Sequence, residues 1–293
     1  MTVVEKAYAK INLYLDVLSR LNDGFHQILS IMHSVDLHDT ITLSCVESEQ
    51  TKITITTDRG DLSVGEDNLV YRAVSSYLSY FSVKANVSVH LEKNIPIGAG
   101  LGGGSSDAAA TLRALNKVLN KADMDQIFEL ASELGSDVPF CVLGGLCVCE
   151  SKGEMFTPIS KRDNMTFVVA IGEGRVSTPK AYAALDELYN NFTGEMSEET
   201  LCNNKKIIEL IYNDRKEIPI YNIFEQVVTF DEIDKIKEIM TKNGAEYTLM
   251  SGSGPSVFGR FSDAHSAERA RSILTNNGFT AFTCKSVYPE VTI

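Results

Sequence analysis

A glycine-rich segment in the first half of the chain carries the clearest chemical signal. Its residues are Pro96-Ile97-Gly98-Ala99-Gly100-Leu101-Gly102-Gly103-Gly104-Ser105-Ser106-Asp107. Glycines adopt positive φ and let a backbone approach an anion closely. The N–H groups that open a helix also attract a phosphate, because they carry the positive end of the helix dipole. The segment therefore predicts a phosphate-binding loop, whose two serines could cap the following helix, bind a phosphate oxygen or contact Mg²⁺.

Other glycine motifs compete with this interpretation. Gly98-x-Gly100-x-x-Gly103 fits the dinucleotide fingerprint, and Asp123 follows about twenty residues later. However, the strand before the loop is polar on one face, and Asp123 precedes a helix instead of ending a second strand. A Walker A loop is excluded because no lysine precedes Ser105. A glycine-rich turn without a ligand stays open as the plain structural alternative.

The first strand carries a second group of residues that suits charge chemistry. Residues 7–17 alternate between aliphatic side chains on one face and polar or aromatic side chains on the other. Such a period of two predicts a strand. Side chains two residues apart on a strand project from the same face. Lys10 and Asn12 are therefore expected to lie side by side.

Composition and charge narrow the class of protein. The 293 residues are 44% hydrophobic and 23% charged, as in globular proteins. The net charge of −12 argues against a nucleic acid or an anionic membrane as partner, since both require a basic surface. No apolar stretch has the length of a signal peptide or a membrane span, so we expect a cytoplasmic protein. We expect it to act as a monomer or a homodimer on a small molecule.

The cysteines do not predict a metal site. There are six: Cys45, Cys141, Cys147, Cys149, Cys202 and Cys284. None forms a Cys-x-x-Cys pair, and no histidine lies at zinc-finger spacing from them. Three of them lie in the apolar run 140–149, where we expect small buried side chains.

Strands and helices alternate along the chain and position these residues. Period-two segments predict strands at residues 7–17, 41–45, 52–56, 85–93, 166–171, 247–250, 256–261 and 279–286, with a further strand starting at Phe140. Helical spacing of apolar residues predicts helices at 67–81, 106–119, 123–134, 179–188, 203–213, 231–243 and 264–276. Both halves mix the two types, so we expect an α+β protein of two lobes, residues 1–158 and 159–293.

Three motifs together resemble one known family. The loop above resembles the ATP loop of the superfamily of galactokinase, homoserine kinase, mevalonate kinase and phosphomevalonate kinase, the GHMP kinases. Lys6-Ala7-Tyr8-Ala9-Lys10-Ile11-Asn12-Leu13 is similar to its first motif, and Met250-Ser251-Gly252-Ser253-Gly254-Pro255-Ser256-Val257-Phe258 to its third. The resemblance implies an N-terminal lobe of the ribosomal protein S5 domain 2-like type, a C-terminal ferredoxin-like lobe and an active site in the cleft between them. It also allows the last strand to return to the first lobe.

This resemblance implies roles for the residues of the catalytic and nucleotide sites. Asp137 matches the catalytic aspartate, Lys10 matches the catalytic lysine, and ATP with Mg²⁺ is the expected phosphoryl donor. Asn68 and Lys93 match positions beside the adenine. The positions that match the two phosphate loops are Pro96, Gly98, Gly100, Leu101, Gly102, Gly103, Gly104, Ser105, Ser106, Gly252, Ser253 and Gly254.

Three further segments resemble the branch of the superfamily that serves the non-mevalonate isoprenoid pathway, whose substrate carries a cytidine diphosphate group. They are Arg20-Leu21-Asn22-Asp23-Gly24-Phe25-His26, Asp67-Asn68-Leu69-Val70-Tyr71-Arg72-Ala73 and Leu134-Gly135-Ser136-Asp137-Val138-Pro139-Phe140. In that branch Asn12 would hold the substrate, His26 would bind the cytosine edge, and Phe25 and Tyr182 would stack on the base.

Several positions depart from that branch and keep alternatives open. Phe25 stands where the branch usually has Tyr, which removes a hydroxyl but keeps a stacking ring. The segment 149–154 is atypical, and Asn222 with Glu225 is a loose match to an Asn-x-x-Glu motif. A related kinase of another alcohol and a non-catalytic nucleotide-binding paralogue are therefore the alternatives.

Overall fold

A computed structural model of the chain describes residues 1–160, 163–172, 174, 177–192 and 219–290. The strands among these residues are β1 Thr2–Arg20, β2 His26–Glu47, β3 Lys52–Thr57, β4 Ala85–Glu92, β5 Leu146–Ser151, β6 Met155–Pro158, β7 Thr166–Ile171, β8 Tyr221–Asn222, β9 Ala245–Met250, β10 Val257–Phe261 and β11 Thr280–Lys285. The helices are α1 Leu69–Tyr80, α2 Gly103–Leu119, α3 Met124–Leu134, α4 Val138–Leu143, α5 Thr178–Leu188, α6 Asp231–Lys242 and α7 Ala264–Asn276.

The first sheet has seven strands and carries the first glycine loop. Its strand order is β3-β4-β2-β1-β8, and β5 joins β2 and then β6. Helices α1, α2 and α3 cover one face and form a core with β4, in which alternate residues are buried. Strand β1 is buried on both faces over most of residues 7–15. The side chains of Lys10 and Asn12 therefore lie inside the molecule.

The second sheet has four strands in the order β11-β7-β10-β9 and carries the second glycine loop. Helices α6 and α7 pack against it through buried residues such as Ile236 and Leu274. The chain crosses back to the first sheet twice: β8 pairs in parallel with β1, and Ser286 forms an isolated bridge with Val35. The predicted α+β class is confirmed, while the boundary after residue 158 stays a prediction.

Two predicted elements differ from the structure. Residues 138–143, predicted to begin a strand at Phe140, form helix α4, which has Pro139 in its first turn and ends at Gly144 with φ +70°; the strand starts only at Leu146. Helix α2 begins at Gly103, three residues before the predicted start. In both places hydrogen bonding of the glycine-flanked backbone overrides side-chain periodicity. The predicted helix at 203–213 and Cys202 lie outside the described residues.

The start of helix α3 argues against the dinucleotide-binding hypothesis. The Asp123 carboxylate accepts a hydrogen bond from the N–H of Gln126, and the Gln126 side chain accepts one from the N–H of Asp123. This reciprocal arrangement is a capping box. Asp123 thus caps a helix, which argues against the ribose contact that a dinucleotide site would require. Within the described ranges, no helix is long and apolar enough to cross a bilayer.

Candidate active site

Lys10 is the centre of the candidate site. Its Nζ donates to Asn12 Oδ1 at 2.8 Å and lies 3.3 Å from Asp137 Oδ2. The Lys10 side chain is only 6% exposed, whereas that of Asp137 is 29% exposed. Asp137 precedes helix α4 but makes no capping hydrogen bond through its side chain. Its carboxylate is therefore held by Lys10 and faces a cavity, as a base for a bound ligand would.

The first glycine loop is fixed to Lys10 by its backbone. The N–H of Lys10 donates to the carbonyl of Leu101 at 2.9 Å. Gly102 has φ +70°, and a Cβ atom there would lie 2.8 Å from Lys10 Cγ. This position therefore requires glycine both for its conformation and for its space. Gly102 is also the residue that caps helix α2, so the N-terminus of this helix starts beside Lys10.

The second glycine loop, between β9 and β10, packs directly on the first. A Cβ atom on Gly100, which has φ +79°, would lie 2.3 Å from the carbonyl oxygen of Ser251. The Ser251 hydroxyl donates to the Gly100 carbonyl at 3.1 Å. Gly252 donates its N–H to Asn12 Oδ1 at 3.0 Å. Asn12 thus links Lys10 and both lobes through one side-chain oxygen.

Two residues of the loosely matching motif brace the second loop. Asn222 Nδ2 donates to the carbonyls of Met250 at 2.7 Å and Gly252 at 2.8 Å. Glu225 Oε1 accepts the N–H of Met250 at 2.7 Å. The motif therefore has a structural function here, even though it matched only loosely in sequence.

Two cavities meet at the glycine loops. The larger, of about 660 Å³, is lined among others by these predicted site residues: Lys10, Asn12, Phe25, His26, Asp137, Tyr182, Gly252 and Ser253. The smaller, of about 380 Å³, is lined among others by Asn68, Lys93, Pro96, Gly98, Leu101, Gly103 and Gly104. Gly100, Gly102 and Ser105 line both cavities. A ligand in one cavity therefore meets a ligand in the other beside Lys10.

Two predicted ligand-binding residues line neither cavity. Ser106 is fully buried, and its hydroxyl donates to the carbonyl of Tyr8 at 2.6 Å, with the carbonyl of Gly102 also within 3.0 Å. Its hydroxyl therefore attaches helix α2 to strand β1. Gly254 lies within the second loop, at a position where a Cβ atom would be 2.6 Å from the sulfur of Met250.

The residues predicted beside an adenine are engaged with protein partners. Asn68 caps helix α1 by accepting the N–H of Val70 at 2.8 Å. Lys93 is buried, and its ammonium donates to Asp107 Oδ2 at 2.7 Å and to Asp39. Burial lowers the pKa of Lys93, but the two carboxylates outweigh it and raise that pKa. In this structure the Lys93 ammonium lies next to Gly103 and binds Asp107 at the start of helix α2. Its direct contact with a nucleotide stays a prediction.

Aromatic side chains gather at the far end of the larger cavity. His26 stacks on Tyr182, with ring centroids 4.6 Å apart and planes 22° apart. Phe25 is 57% exposed, and the ammonium of Lys152 lies 4.6 Å from its ring centroid. The aromatic residue stacked on Tyr182 is thus His26 and not Phe25. Burial raises the pKa of Tyr182, so its hydroxyl stays protonated.

Sequence reasoning missed several residues of this end. Asp186 accepts a hydrogen bond from His26 Nε2 at 2.7 Å, and Arg20 lies 3.4 Å from Asp186. Asp186 follows Tyr182 by four residues on helix α5, so helical spacing alone places both on one face. No such signal existed for Lys152 or Thr178, because only the folded chain brings them to the cavity.

Two of the three cysteines in the run 140–149 are buried as predicted, whereas Cys141 is half-buried. Cys147 and Cys149 are fully buried. Burial raises the pKa of the Cys141 and Cys147 thiols to about 12. Thiols in this state are poor nucleophiles and poor metal ligands.

Family models match both lobes. GHMP kinases N terminal domain matches residues 68–145, and GHMP kinases C terminal matches residues 215–280. A solved structure of 4-(cytidine 5'-diphospho)-2C-methyl-D-erythritol kinase is 32% identical, with a TM-score of 0.77 over 97% of this chain and 99% of that one. A homoserine kinase from Cytophaga hutchinsonii is 20% identical, with a TM-score of 0.73 over 98% and 95%, and shares the fold.

Curated relatives extend over almost the whole chain. A protein of Caldicellulosiruptor saccharolyticus is 39% identical over 273 residues, which are 92% of this chain and 91% of that protein. A protein of Thermodesulfovibrio yellowstonii is 40% identical over 273 residues, which are 90% and 92% of the two chains. Both are named 4-diphosphocytidyl-2-C-methyl-D-erythritol kinase. The chain therefore belongs to the GHMP kinases, in the family whose curated members carry that name.

Proposed function

We propose that this enzyme transfers the γ-phosphoryl group of ATP to the 2-hydroxyl of 4-diphosphocytidyl-2-C-methyl-D-erythritol, in the non-mevalonate isoprenoid pathway. The observation that carries this proposal is the Lys10–Asp137 pair at the junction of two cavities. One cavity follows the glycine loop and suits a nucleotide. The other ends in aromatic rings and suits a base-bearing acceptor, which agrees with the names of the curated relatives.

The roles of the pair follow from the chemistry of phosphoryl transfer. The reaction needs an acceptor oxygen in line with the γ-phosphorus and positive charge around the phosphoryl oxygens, but little covalent help. Asp137 accepts the proton of the acceptor hydroxyl. Lys10 orients the Asp137 carboxylate from 3.3 Å and stabilises the charge that develops on the transferred group. Asn12 keeps the Lys10 ammonium in place through its 2.8 Å hydrogen bond.

The nucleotide binds along the smaller cavity in this proposal. The N–H groups at the start of helix α2 face its phosphates, and the two glycine loops approach each other closely at Gly100 and Ser251. This backbone cradle supplies positive potential in a protein whose net charge is −12.

Mg²⁺ is part of the proposal as the partner of ATP. In kinase sites most ligands of Mg²⁺ are water molecules and phosphate oxygens of the nucleotide, so the ion needs few protein ligands. In the part of the chain that the structure describes, no three His, Cys, Asp or Glu side chains are grouped as a metal site. The Ser105 hydroxyl, where both cavities meet, fits as a ligand, whereas the Ser106 hydroxyl is committed to backbone carbonyls. When bound, Mg²⁺ neutralises charge on the phosphate oxygens.

The acceptor occupies the larger cavity in this proposal. Its cytosine lies among Phe25, His26 and Tyr182, and its polyol reaches Asp137. Aromatic side chains bind a planar base through stacking, and a histidine ring nitrogen at their edge distinguishes hydrogen-bond donors from acceptors on that base.

A coupled assay of ADP release tests this function. With ATP, Mg²⁺ and the CDP-linked methylerythritol, we expect saturable turnover and a product that carries one new phosphate on the 2-hydroxyl, identified by ³¹P NMR. Saturable turnover only with a different alcohol would favour a related kinase of the superfamily. Nucleotide binding without turnover of any alcohol would favour a non-catalytic paralogue.

A further inference from the structure

Asp186 is joined to the base end of the larger cavity by a hydrogen bond that spans 160 residues of sequence. Its Oδ1 lies 2.7 Å from Nε2 of His26, and the Asp186 side chain is only 14% exposed. Tyr182, one helical turn earlier on α5, supports the flat face of the same imidazole at 4.6 Å. Helix α5 thus fixes His26 by a ring contact and by an in-plane hydrogen bond.

The hydrogen bond determines which imidazole nitrogen carries the proton. An ionised carboxylate only accepts hydrogen bonds, so Nε2 of His26 must donate to Asp186. In the neutral ring the other nitrogen, Nδ1, is then an acceptor. No residue in the described parts of the chain hydrogen-bonds to His26 Nδ1, and His26 lines the larger cavity.

We propose that Asp186 is a positioning residue that fixes the tautomer of His26, so that this cavity selects an amino group over a carbonyl oxygen at position 4 of a pyrimidine. Cytosine carries an amino group there and uracil carries an oxygen. An acceptor at Nδ1 matches the amino group and leaves the uracil oxygen unpaired against another acceptor. This inference rests on the proposed function, since it assumes that the base of the acceptor substrate meets His26.

Arg20 orients the Asp186 carboxylate from the side opposite His26. Its guanidinium lies 3.4 Å from Asp186 Oδ2, the oxygen that does not face His26. Arg20 and His26 are cross-strand partners at the end of the β1–β2 ladder, so the same backbone pairing positions both. Arg20 is 43% exposed, which limits the strength of this ion pair. It orients Asp186 through the carboxylate oxygen Oδ2, whereas His26 is hydrogen-bonded to Oδ1.

The test compares two acceptors that differ only in the base. The kcat/KM values for the cytidine diphosphate-linked substrate and for its uridine diphosphate-linked analogue are measured at saturating ATP and pH 8. We expect the wild-type enzyme to prefer cytidine by at least about 10²-fold, because the uridine analogue leaves buried polar groups unpaired. In Asp186→Asn the amide can donate to Nε2, which turns Nδ1 into a donor. We expect this variant to lower the preference at least about tenfold, mainly through KM for the cytidine substrate.

Two variants separate tautomer control from simple bracing. Asp186→Glu retains a carboxylate, so the preference for cytidine should persist. Arg20→Gln removes the orienting ion pair but leaves the carboxylate that accepts the imidazole proton. It should therefore lower kcat/KM for both substrates by a similar factor. If Asp186→Asn also lowers both values by the same factor, or leaves the ratio unchanged, the proposal is wrong.

A direct measurement on the unaltered enzyme covers the case in which Asp186→Asn does not fold. Long-range ¹H–¹⁵N NMR correlations report the protonated nitrogen of each of the five histidines. We expect His26 to be the Nε2–H tautomer, and an Nδ1–H signal would overturn the proposal. If wild-type enzyme turns over neither base analogue, the proposed function fails instead, whatever the tautomer of His26.

Discussion

The two ends of the larger cavity are held together in different ways. At the end lined by Lys10 and the glycine loops, which the proposed function assigns to the phosphates and which is called the phosphate end below, most of the contacts that fix the geometry involve backbone atoms. Examples are the Lys10 N–H with Leu101 and the Gly252 N–H with Asn12. At the base end, the contacts that orient His26 are made by side chains from distant segments, such as Asp186 on helix α5. The geometry of the first end therefore depends on backbone conformation, whereas that of the second end depends on the identity of individual side chains.

This difference separates what the fold supplies from what sets the substrate. Backbone contacts depend on positive φ and on the absence of side chains, as at Gly100 and Gly102. In the proposed function this backbone cradle binds the phosphates of ATP, and its geometry does not determine which acceptor is used. The acceptor is chosen by side chains at the other end, so one architecture can be reused with different acceptors.

Replacement of Asp137 by Asn should produce the largest effect. The variant cannot take the hydroxyl proton, so kcat should fall by at least about 10²-fold, the usual contribution of a positioned base. The Lys10–Asn12 hydrogen bond remains, so the phosphate cradle should persist. Affinity for ADP, measured by titration calorimetry, is the control and should change little. A near-normal kcat would reject the base role and leave Asp137 as a structural partner of Lys10.

A pair of alanine substitutions tests the claim that the phosphate end is set by its backbone. Gly98 and Gly100 both have positive φ, +71° and +79°, but only Gly100 faces another backbone atom at 2.3 Å. Each alanine should cost about 1–2 kcal/mol of stability from the left-handed conformation. Gly100→Ala should also separate the two loops and raise KM for ATP at least about tenfold more than Gly98→Ala does. Equal KM values would show that the loops do not need this close approach. Urea denaturation and steady-state kinetics provide the two measurements.

The sequence anticipated the phosphate end well, because local patterns determine it. Alternation in strand β1 placed Lys10 and Asn12 together, and glycine and serine types marked the loop before helix α2. The patterns did not show that Ser106 is buried, since its carbonyl partner on Tyr8 is 98 residues away. Nor could they show that His26 would lie on Tyr182. That contact joins a hairpin to a helix more than 150 residues later, and periodicity carries no information at that range.

His33 lies where the two sheets contact each other and makes the stability of the protein depend on pH. It is fully buried in β2, where it hydrogen-bonds to the Gly145 carbonyl at 2.9 Å and meets the ring of Phe167 on the second sheet. Burial lowers the pKa of His33 to about 4, below the value of 6.5 for a free histidine. The unfolded chain therefore binds more protons between these values, and stability falls as pH drops from 6.5 toward 4.

Replacement of His33 by Gln should remove this pH dependence. Between pH 7 and pH 5 the free energy of unfolding of the wild type should fall by about 2 kcal/mol more than that of the variant. The difference between the two unfolding curves isolates His33 from other titrating groups. His265→Gln, at an exposed position on helix α7, is the matched control and should keep the wild-type slope. A His33→Gln curve parallel to that of the wild type would mean that His33 accepts its proton without loosening the sheets.

The smallest effect is expected at the exposed rim of the base end. Lys152 lies 4.6 Å from the ring centroid of Phe25 and pairs with Asp23 at 2.5 Å, so it fastens the β1–β2 turn from the outside. Both contacts are partly exposed, and such contacts are weak and are reduced by salt. Lys152→Met should therefore raise KM for the acceptor only about two- to fivefold and leave kcat unchanged.

The salt dependence of KM sharpens this last test. The difference between wild type and Lys152→Met should shrink at high ionic strength, because screening weakens the wild-type contacts and leaves the methionine unaffected. Lys242→Met removes a similar exposed ion pair with Glu238, and neither residue lines the cavity, so this variant should leave KM unchanged at any salt concentration. A loss in kcat instead of KM would mean that the turn reaches the reacting atoms. The different construction of the two ends implies that they are independent, and this result would show instead that they are coupled.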